Sequence, residues 1–124
     1  MNHKRPVNLD LGSLKYPPMA IASLLHRLSG LVLFLLFPVM LYLLSLSLQS
    51  ETSFTAMKDM VASPYYKFLL WVFSAALVYH VIAGIRHILM DMGLGESLAA
   101  GRRSAISIII LAIVLTIFLG IWIW

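Results

Sequence analysis

Residues 28–48 read LSGLVLFLLFPVMLYLLSLSL, a run without a charged side chain that is long enough to span the hydrocarbon core of a bilayer. Two further apolar runs follow, over residues 68–85 and 105–124. The chain has 124 residues, of which 61% are hydrophobic and 11% are charged, and this balance is typical of an integral membrane protein. The sequence therefore predicts an all-α integral membrane fold with three transmembrane helices.

Prolines, glycines and polar residues set the expected limits of these helices. Pro38 lies within the first run and is expected to kink it. Ser63 followed by Pro64 is typical of a helix start, and Gly93 of a helix end. Residues 49–63 fit either a short amphipathic helix at the membrane surface or an ordinary loop. We expect an extramembrane arm at 1–18, helix I at 19–48, helix II at 64–92 and helix III at 104–124.

The lysines and arginines are unevenly divided between the two ends of the predicted helices. Lys58 and Lys67 fall on the side of the first connection, and all others fall on the side of the arm and the second connection: Lys4, Arg5, Lys15, Arg27, Arg86, Arg102 and Arg103. Because Lys and Arg are enriched on the cytoplasmic side, we expect the N-terminus inside and the C-terminus outside. The net charge of +4 is interpreted as this topology signal, and no nucleic-acid partner is expected.

Two histidines and a glycine share one face of predicted helix II. His80, Gly84 and His87 follow one another at intervals of one helical turn. An ionisable group within an apolar span is a candidate functional residue, and the glycine leaves a notch that suits another helix or a flat cofactor. The predicted topology also brings His26 of helix I to the depth of this face.

The spacing limits what these side chains can bind. His80 and His87 lie about 10 Å apart along one helix, so they cannot both be axial ligands of one haem. If one of them binds iron, the opposite ligand comes from His26 or from another chain. Ser23 and Arg27, one turn apart at the membrane boundary, are suited to hydrogen-bonding a quinone carbonyl. The chain has no cysteine, so it cannot hold a Cys-ligated iron–sulfur cluster.

Other interpretations of the same residues remain open at this stage. Arg27 and Arg86 are also placed to reach lipid phosphates, His87 to face headgroups, and His80 to hydrogen-bond a neighbouring helix. Two other classes of protein fit the composition: a haem-free structural anchor and a small transport or proton-conducting subunit. The second lacks support, because no acidic residue lies within an apolar span.

Three segments carry a resemblance to a known family. They are RPVNLDL at residues 5–11, SLLHRLSG at residues 23–30 and HVIAGIRHILMDMG at residues 80–93. These segments, in this order, resemble the signatures of the cytochrome b subunit of succinate dehydrogenase, a membrane-anchor subunit of respiratory complex II. The three-span layout is similar to that family as well.

The resemblance implies a role for each position. His80 matches the family's haem-iron ligand, and the opposite axial ligand comes from a second small membrane-anchor subunit. His26, Arg27 and His87 are expected around the haem propionates. Ser23 and Arg27 match the ubiquinone-binding serine and arginine.

The resemblance also implies the partners and the membrane. The chain is expected to act with a flavoprotein subunit that oxidises succinate and an iron–sulfur subunit that passes electrons to quinone. It is then a haem b subunit of a succinate:ubiquinone oxidoreductase that is not catalytic alone. The bacterial inner membrane is favoured over a mitochondrial inner membrane, the alternative, because residues 1–18 lack the features of a signal or transit peptide.

Overall fold

The computed structural model describes residues 10, 12 and 15–124, and over these residues it is helical and contains no strand. Most of the expected arm, including all of the segment at residues 5–11 except Asp10, lies outside the described residues. Three helices are long and apolar enough to cross a membrane, which confirms the all-α membrane fold. The helices are α1 (Pro18–Gln49), α2 (Glu51–Val61), α3 (Pro64–Asp91) and α4 (Leu98–Ile123).

The connection between the first two spans is a helix, one of the two alternatives that the sequence left open. Ser50 separates α1 from α2 and caps α2, because its hydroxyl accepts a hydrogen bond from the Ser53 backbone N–H at 3.1 Å. Ser53 Oγ in turn accepts from the Ser50 backbone N–H at 3.0 Å. This capping box stops α1 at Gln49 and begins a new helix two residues later.

Helix α4 begins at Leu98 and not near residue 104 as expected. The Ser97 hydroxyl accepts a hydrogen bond from the Ala100 backbone N–H at 3.2 Å and so caps the helix earlier. Arg102 and Arg103 are exposed in the second turn of this helix, where the sequence placed them in a loop. At the other end of that loop, α3 ends at Asp91 and Gly93 has a φ of +83°, which favours glycine.

The spans pack through small side chains. Over the described residues, the buried apolar side chains are alanines in all three spans together with Leu43, and Gly101 is buried in α4. Helix α3 packs against both α1 and α4, and α1 also contacts α4. Small residues allow helix backbones to approach closely, which is how membrane helices associate where no water drives them together.

Two polar side chains of α3 hydrogen-bond to α4. Trp71 Nε1 donates to the Thr116 carbonyl at 2.9 Å near one end of the pair. Near the other end, Arg86 donates from Nε to Ser104 Oγ at 2.9 Å and from Nη2 to the Gly101 carbonyl at 3.1 Å. Arg86 is only 6% exposed, so it does not extend to the membrane surface, as one interpretation of the sequence had it.

One cross-helix hydrogen bond fixes α3 against the first turns of α1. The Tyr79 hydroxyl donates to the Ala22 carbonyl at 2.8 Å, and Ala22 is 1% exposed. The donor of this bond, Tyr79, directly precedes His80 in the sequence. The bond therefore sets the depth at which the histidine face of α3 meets α1.

Replacing Tyr79 by phenylalanine removes only the hydroxyl of this bond. We expect Tyr79→Phe to lower the free energy of unfolding by about 0.5 to 1.5 kcal/mol, because the Ala22 carbonyl keeps its own helical partner. The measurement is unfolding by sodium dodecyl sulfate in mixed micelles, followed by circular dichroism. Tyr65→Phe is the matched control, since Tyr65 is 68% exposed, and an equal effect of both substitutions would contradict the role of Tyr79.

Candidate functional site

Helices α1 and α3 meet through the same short pattern in each. In α1, His26 is followed four residues later by Gly30, and in α3, His80 is followed four residues later by Gly84. The helices are antiparallel, so the histidine of each faces the glycine of the other. A Cβ built on Gly30 would lie 3.1 Å from His80 Cε1, and one built on Gly84 would lie 3.6 Å from His26 Nε2. We call this arrangement the reciprocal His–Gly contact.

Three imidazoles cluster at this contact. The rings of His26 and His80 are stacked, with centroids 4.2 Å apart and planes inclined by 23°. The ring of His87 lies 5.1 Å from that of His26 at an inclination of 42°. The structure thus brings together the three histidines that the sequence placed at one depth, and His26 is the member that contacts both others.

The Nδ1 atom of His80 lies beside two oxygen atoms of α1. Ser29 Oγ is 3.0 Å away and the His26 carbonyl oxygen is 3.2 Å away. The Ser29 hydroxyl donates its own proton to the His26 carbonyl at 2.7 Å. Both oxygens can then only accept from Nδ1, so Nδ1 carries the proton and Nε2 keeps its lone pair.

A histidine that is protonated at Nδ1 can bind a metal through Nε2, whether the metal is a bare ion or the iron of a haem. Among the residues that the structure describes, no group of three or more His, Cys, Asp and Glu is placed to hold a metal ion. A haem brings four nitrogen ligands with it and needs only axial ligands from protein. The lone pair of Nε2 points along the plane of the His80 ring, so a ring stacked on one face does not lie in its direction.

His26 has a nitrogen without a partner. Its Nε2 is buried and makes no hydrogen bond among the described residues. Buried polar atoms in proteins are nearly always hydrogen-bonded, so this nitrogen is a candidate for a partner that the described residues do not supply.

Ser23 and Arg27 precede and follow His26 on α1 but are not joined to the imidazole cluster. Ser23 is half-buried and Arg27 is exposed. Neither makes a hydrogen bond with another residue in the described part of the chain, so both side chains are available to a ligand.

Sequence reasoning assigned no role to Ser29, Gly30 or Tyr79. A local signal existed for Gly30, because the spacing of His26 and Gly30 repeats that of His80 and Gly84. The contact of Ser29 with His80 depends on how far α1 is shifted along α3. No pattern of residues within either helix indicates the size of that shift.

Comparison with known proteins places the chain among membrane subunits of one enzyme class. A family model described as the succinate dehydrogenase/fumarate reductase transmembrane subunit matches residues 1–119. A succinate dehydrogenase cytochrome b556 subunit from Coxiella burnetii is 43% identical over 125 residues, covering all of both chains. The subunit of the same name from Rickettsia typhi is 30% identical, covering 96% of this chain and 93% of its own. The subunit of the same name from Paracoccus denitrificans is 29% identical, and the match covers 91% of this chain and 87% of that subunit.

The two glycines of the reciprocal His–Gly contact are expected to respond differently to an added methyl group. Gly30→Ala places a Cβ too close to His80, whose ring is held by hydrogen bonds, and we expect a loss of about 1 to 3 kcal/mol in the free energy of unfolding. In Gly84→Ala the Cβ would make an ordinary contact with His26, and alanine favours a helix by about 0.5 to 1 kcal/mol. We therefore expect that variant to be as stable as the wild type or more so.

Both variants can be compared with the wild type by denaturation in the same micelles. Gly84→Ala is the matched control for the general effect of alanine in a transmembrane helix. Equal stabilities of the two variants would show that the closer approach of His80 to Gly30 is not a packing constraint.

Proposed function

Since this chain belongs to the succinate dehydrogenase/fumarate reductase transmembrane subunit family, we propose that it is the haem b-binding and ubiquinone-binding membrane anchor of a succinate:ubiquinone oxidoreductase. One observation carries this proposal. The Nδ1–H of His80 donates to Ser29 Oγ and to the His26 carbonyl, so the lone pair of Nε2 is left to bind iron, within a helix apolar enough to cross a membrane. Bound haem b supplies a one-electron carrier at this position.

In the proposal, a second small membrane-anchor subunit would supply the other ligand of the haem iron. His26 is the nearest other imidazole, but its ring is stacked on the face of the His80 ring at 4.2 Å. A ring stacked in this way lies beside His80 and not across an iron from it. His87, further along the same helix as His80, is excluded by its distance along the axis.

Three residues of this chain surround the haem propionates in the proposal. The Nε2 atom of His26 is buried without a partner among the described residues, and when protonated it would donate to a propionate oxygen; His87 lies against the same ring. Arg27 adds a guanidinium that binds carboxylates in a fork geometry. Propionate oxygens are therefore suitable partners for all three side chains.

Ubiquinone binds against Ser23 and Arg27. The Ser23 hydroxyl donates a hydrogen bond to a quinone carbonyl, and Arg27 stabilises the negative charge that develops on the quinone oxygens as electrons arrive. An iron–sulfur subunit delivers the electrons, which a flavoprotein subunit takes from succinate. Two electrons and two protons convert each ubiquinone to ubiquinol, and because other subunits supply the electrons, this chain is not catalytic alone.

In the proposal, this site lies at the inner surface of the membrane. The ends of the spans that carry Lys15, Arg102 and Arg103 lie on the same side as the Ser23 and His26 end of α1. Because positively charged connections stay in the cytoplasm, the N-terminus is inside and the C-terminus outside, in a bacterial inner membrane. Quinone bound there meets the iron–sulfur subunit and the protons of the cytoplasm.

The haem assignment predicts a spectroscopic result. We expect His80→Leu to remove or shift the low-spin haem b bands in the dithionite-reduced minus oxidised spectrum of the detergent-purified complex, because leucine offers no ligand atom. His87→Leu is the matched control on the same helix and should keep an iron-bound haem. An unchanged spectrum in His80→Leu refutes the ligand assignment, and a colourless wild-type complex would leave only a structural anchor.

The quinone assignment predicts a separation of two activities. Ser23→Ala and Arg27→Leu are each expected to lower succinate:ubiquinone reductase activity roughly tenfold or more, because each removes a donor to the reacting oxygen. Oxidation of succinate by a soluble dye should stay near the wild-type rate. Arg102→Leu, which removes an exposed arginine from the same membrane side, is the matched control, and equal loss of both activities in the Ser23 or Arg27 variants would contradict the assignment.

A further inference from the structure

Ser29 is one of the few polar residues buried by this chain alone. Over the described residues, the buried polar and charged side chains are Ser29, at 7% exposure, and Arg86. A serine in a membrane helix usually satisfies its hydroxyl by donating to a carbonyl one turn earlier, as Ser47 does to Leu44 at 2.7 Å. Ser29 makes the same bond to His26 at 2.7 Å and, in addition, lies 3.0 Å from His80 Nδ1.

The direction of these bonds follows from the atoms involved. The hydroxyl has one proton, and the His26 carbonyl can only accept it. The lone pairs of Ser29 Oγ therefore remain for the Nδ1–H of His80. That nitrogen is closer to the hydroxyl oxygen, at 3.0 Å, than to the His26 carbonyl oxygen, at 3.2 Å, so Ser29 is its nearer acceptor.

We infer that Ser29 is a positioning residue for the haem ligand: its hydroxyl, together with the His26 carbonyl, holds His80 in the tautomer whose Nε2 would bind iron, and its hydrogen bond lowers the reduction potential of the haem. This inference rests on the proposed function, in which His80 ligates haem b. It concerns a residue that touches neither iron nor quinone and acts only through the imidazole.

The physical basis is the effect of a hydrogen bond on the basicity of a ligand. An acceptor at Nδ1–H gives the imidazole partial imidazolate character, which makes Nε2 a stronger donor. A stronger donor stabilises ferric iron more than ferrous iron. Removing the acceptor therefore raises the midpoint potential of the haem.

An optical redox titration of the haem in the complete purified complex tests this effect of Ser29. In Ser29→Ala the His26 carbonyl still orients His80, so we expect haem to be retained with a higher midpoint potential. Loss of one hydrogen bond is expected to raise the ratio of reduced to oxidised haem at a fixed ambient potential roughly two- to tenfold. Tenfold corresponds to about 59 mV for a one-electron couple.

Two further variants separate the hydroxyl from the effects of packing. Ser29→Thr keeps the hydroxyl and is expected to keep the wild-type potential. Ser47→Ala removes an equivalent serine from the same helix, one that is not hydrogen-bonded to a histidine, and is expected to leave the potential unchanged.

These variants test the inference whether or not the Ser29→Ala complex retains its haem. A wild-type potential in Ser29→Ala overturns it, and so does loss of haem from both Ser29→Ala and Ser29→Thr, which would make Ser29 a packing residue. Loss of haem from Ser29→Ala alone, with a wild-type potential in Ser29→Thr, supports it. Failure of the proposed function is distinct, because it appears as a wild-type complex without haem or as a His80→Leu complex with an unchanged spectrum.

Discussion

In the hydrocarbon of a membrane, no water is available to pair a polar group, and the structure of this chain depends on that constraint. Polar side chains that face the interior of the bundle are hydrogen-bonded to the next helix. Arg86 bonds to α4, Tyr79 bonds to α1, and His80 bonds to Ser29. The buried Nε2 of His26 is the exception among the described side chains, and it lies in the cluster to which we assign the haem.

The small residues of the core make this pairing possible. The acceptors of the Tyr79 and Arg86 bonds are the carbonyls of Ala22 and Gly101, both of which are buried. A helical carbonyl already accepts one backbone bond, and a small side chain leaves more room for a second donor to reach it. The same close approach of the backbones makes room for the imidazoles of His26 and His80 at Gly84 and Gly30. The same small residues thus allow the helices to pack closely and the polar side chains to form hydrogen bonds between helices.

Much of the fold could be predicted from the sequence, because uninterrupted apolar runs have few structural outcomes in a chain of this composition. The predicted start of α4, at residue 104, is wrong. The prediction assigns the two arginines after Ser97 to a loop, although a capped helix can carry them at a membrane surface. The depth shared by His26, His80 and His87 followed from topology. The contacts of Ser29 with His80 and of Arg86 with Gly101 did not, since they require the axial shift between two helices, which is set by side chains far apart in the chain.

The reciprocal His–Gly contact also has a consequence for how this protein can change over evolutionary time. The space at Gly30 is closed by His80, so a larger residue at position 30 is compatible only with a different ring position across the contact. Gly84 has more room beside His26 and is freer to vary on its own. Within a lineage that keeps the histidine of α3, position 30 is therefore constrained by a helix to which it is not adjacent in sequence. A substitution by a larger residue at position 30 therefore requires an accompanying change at the contact with His80, more than forty residues away in the sequence.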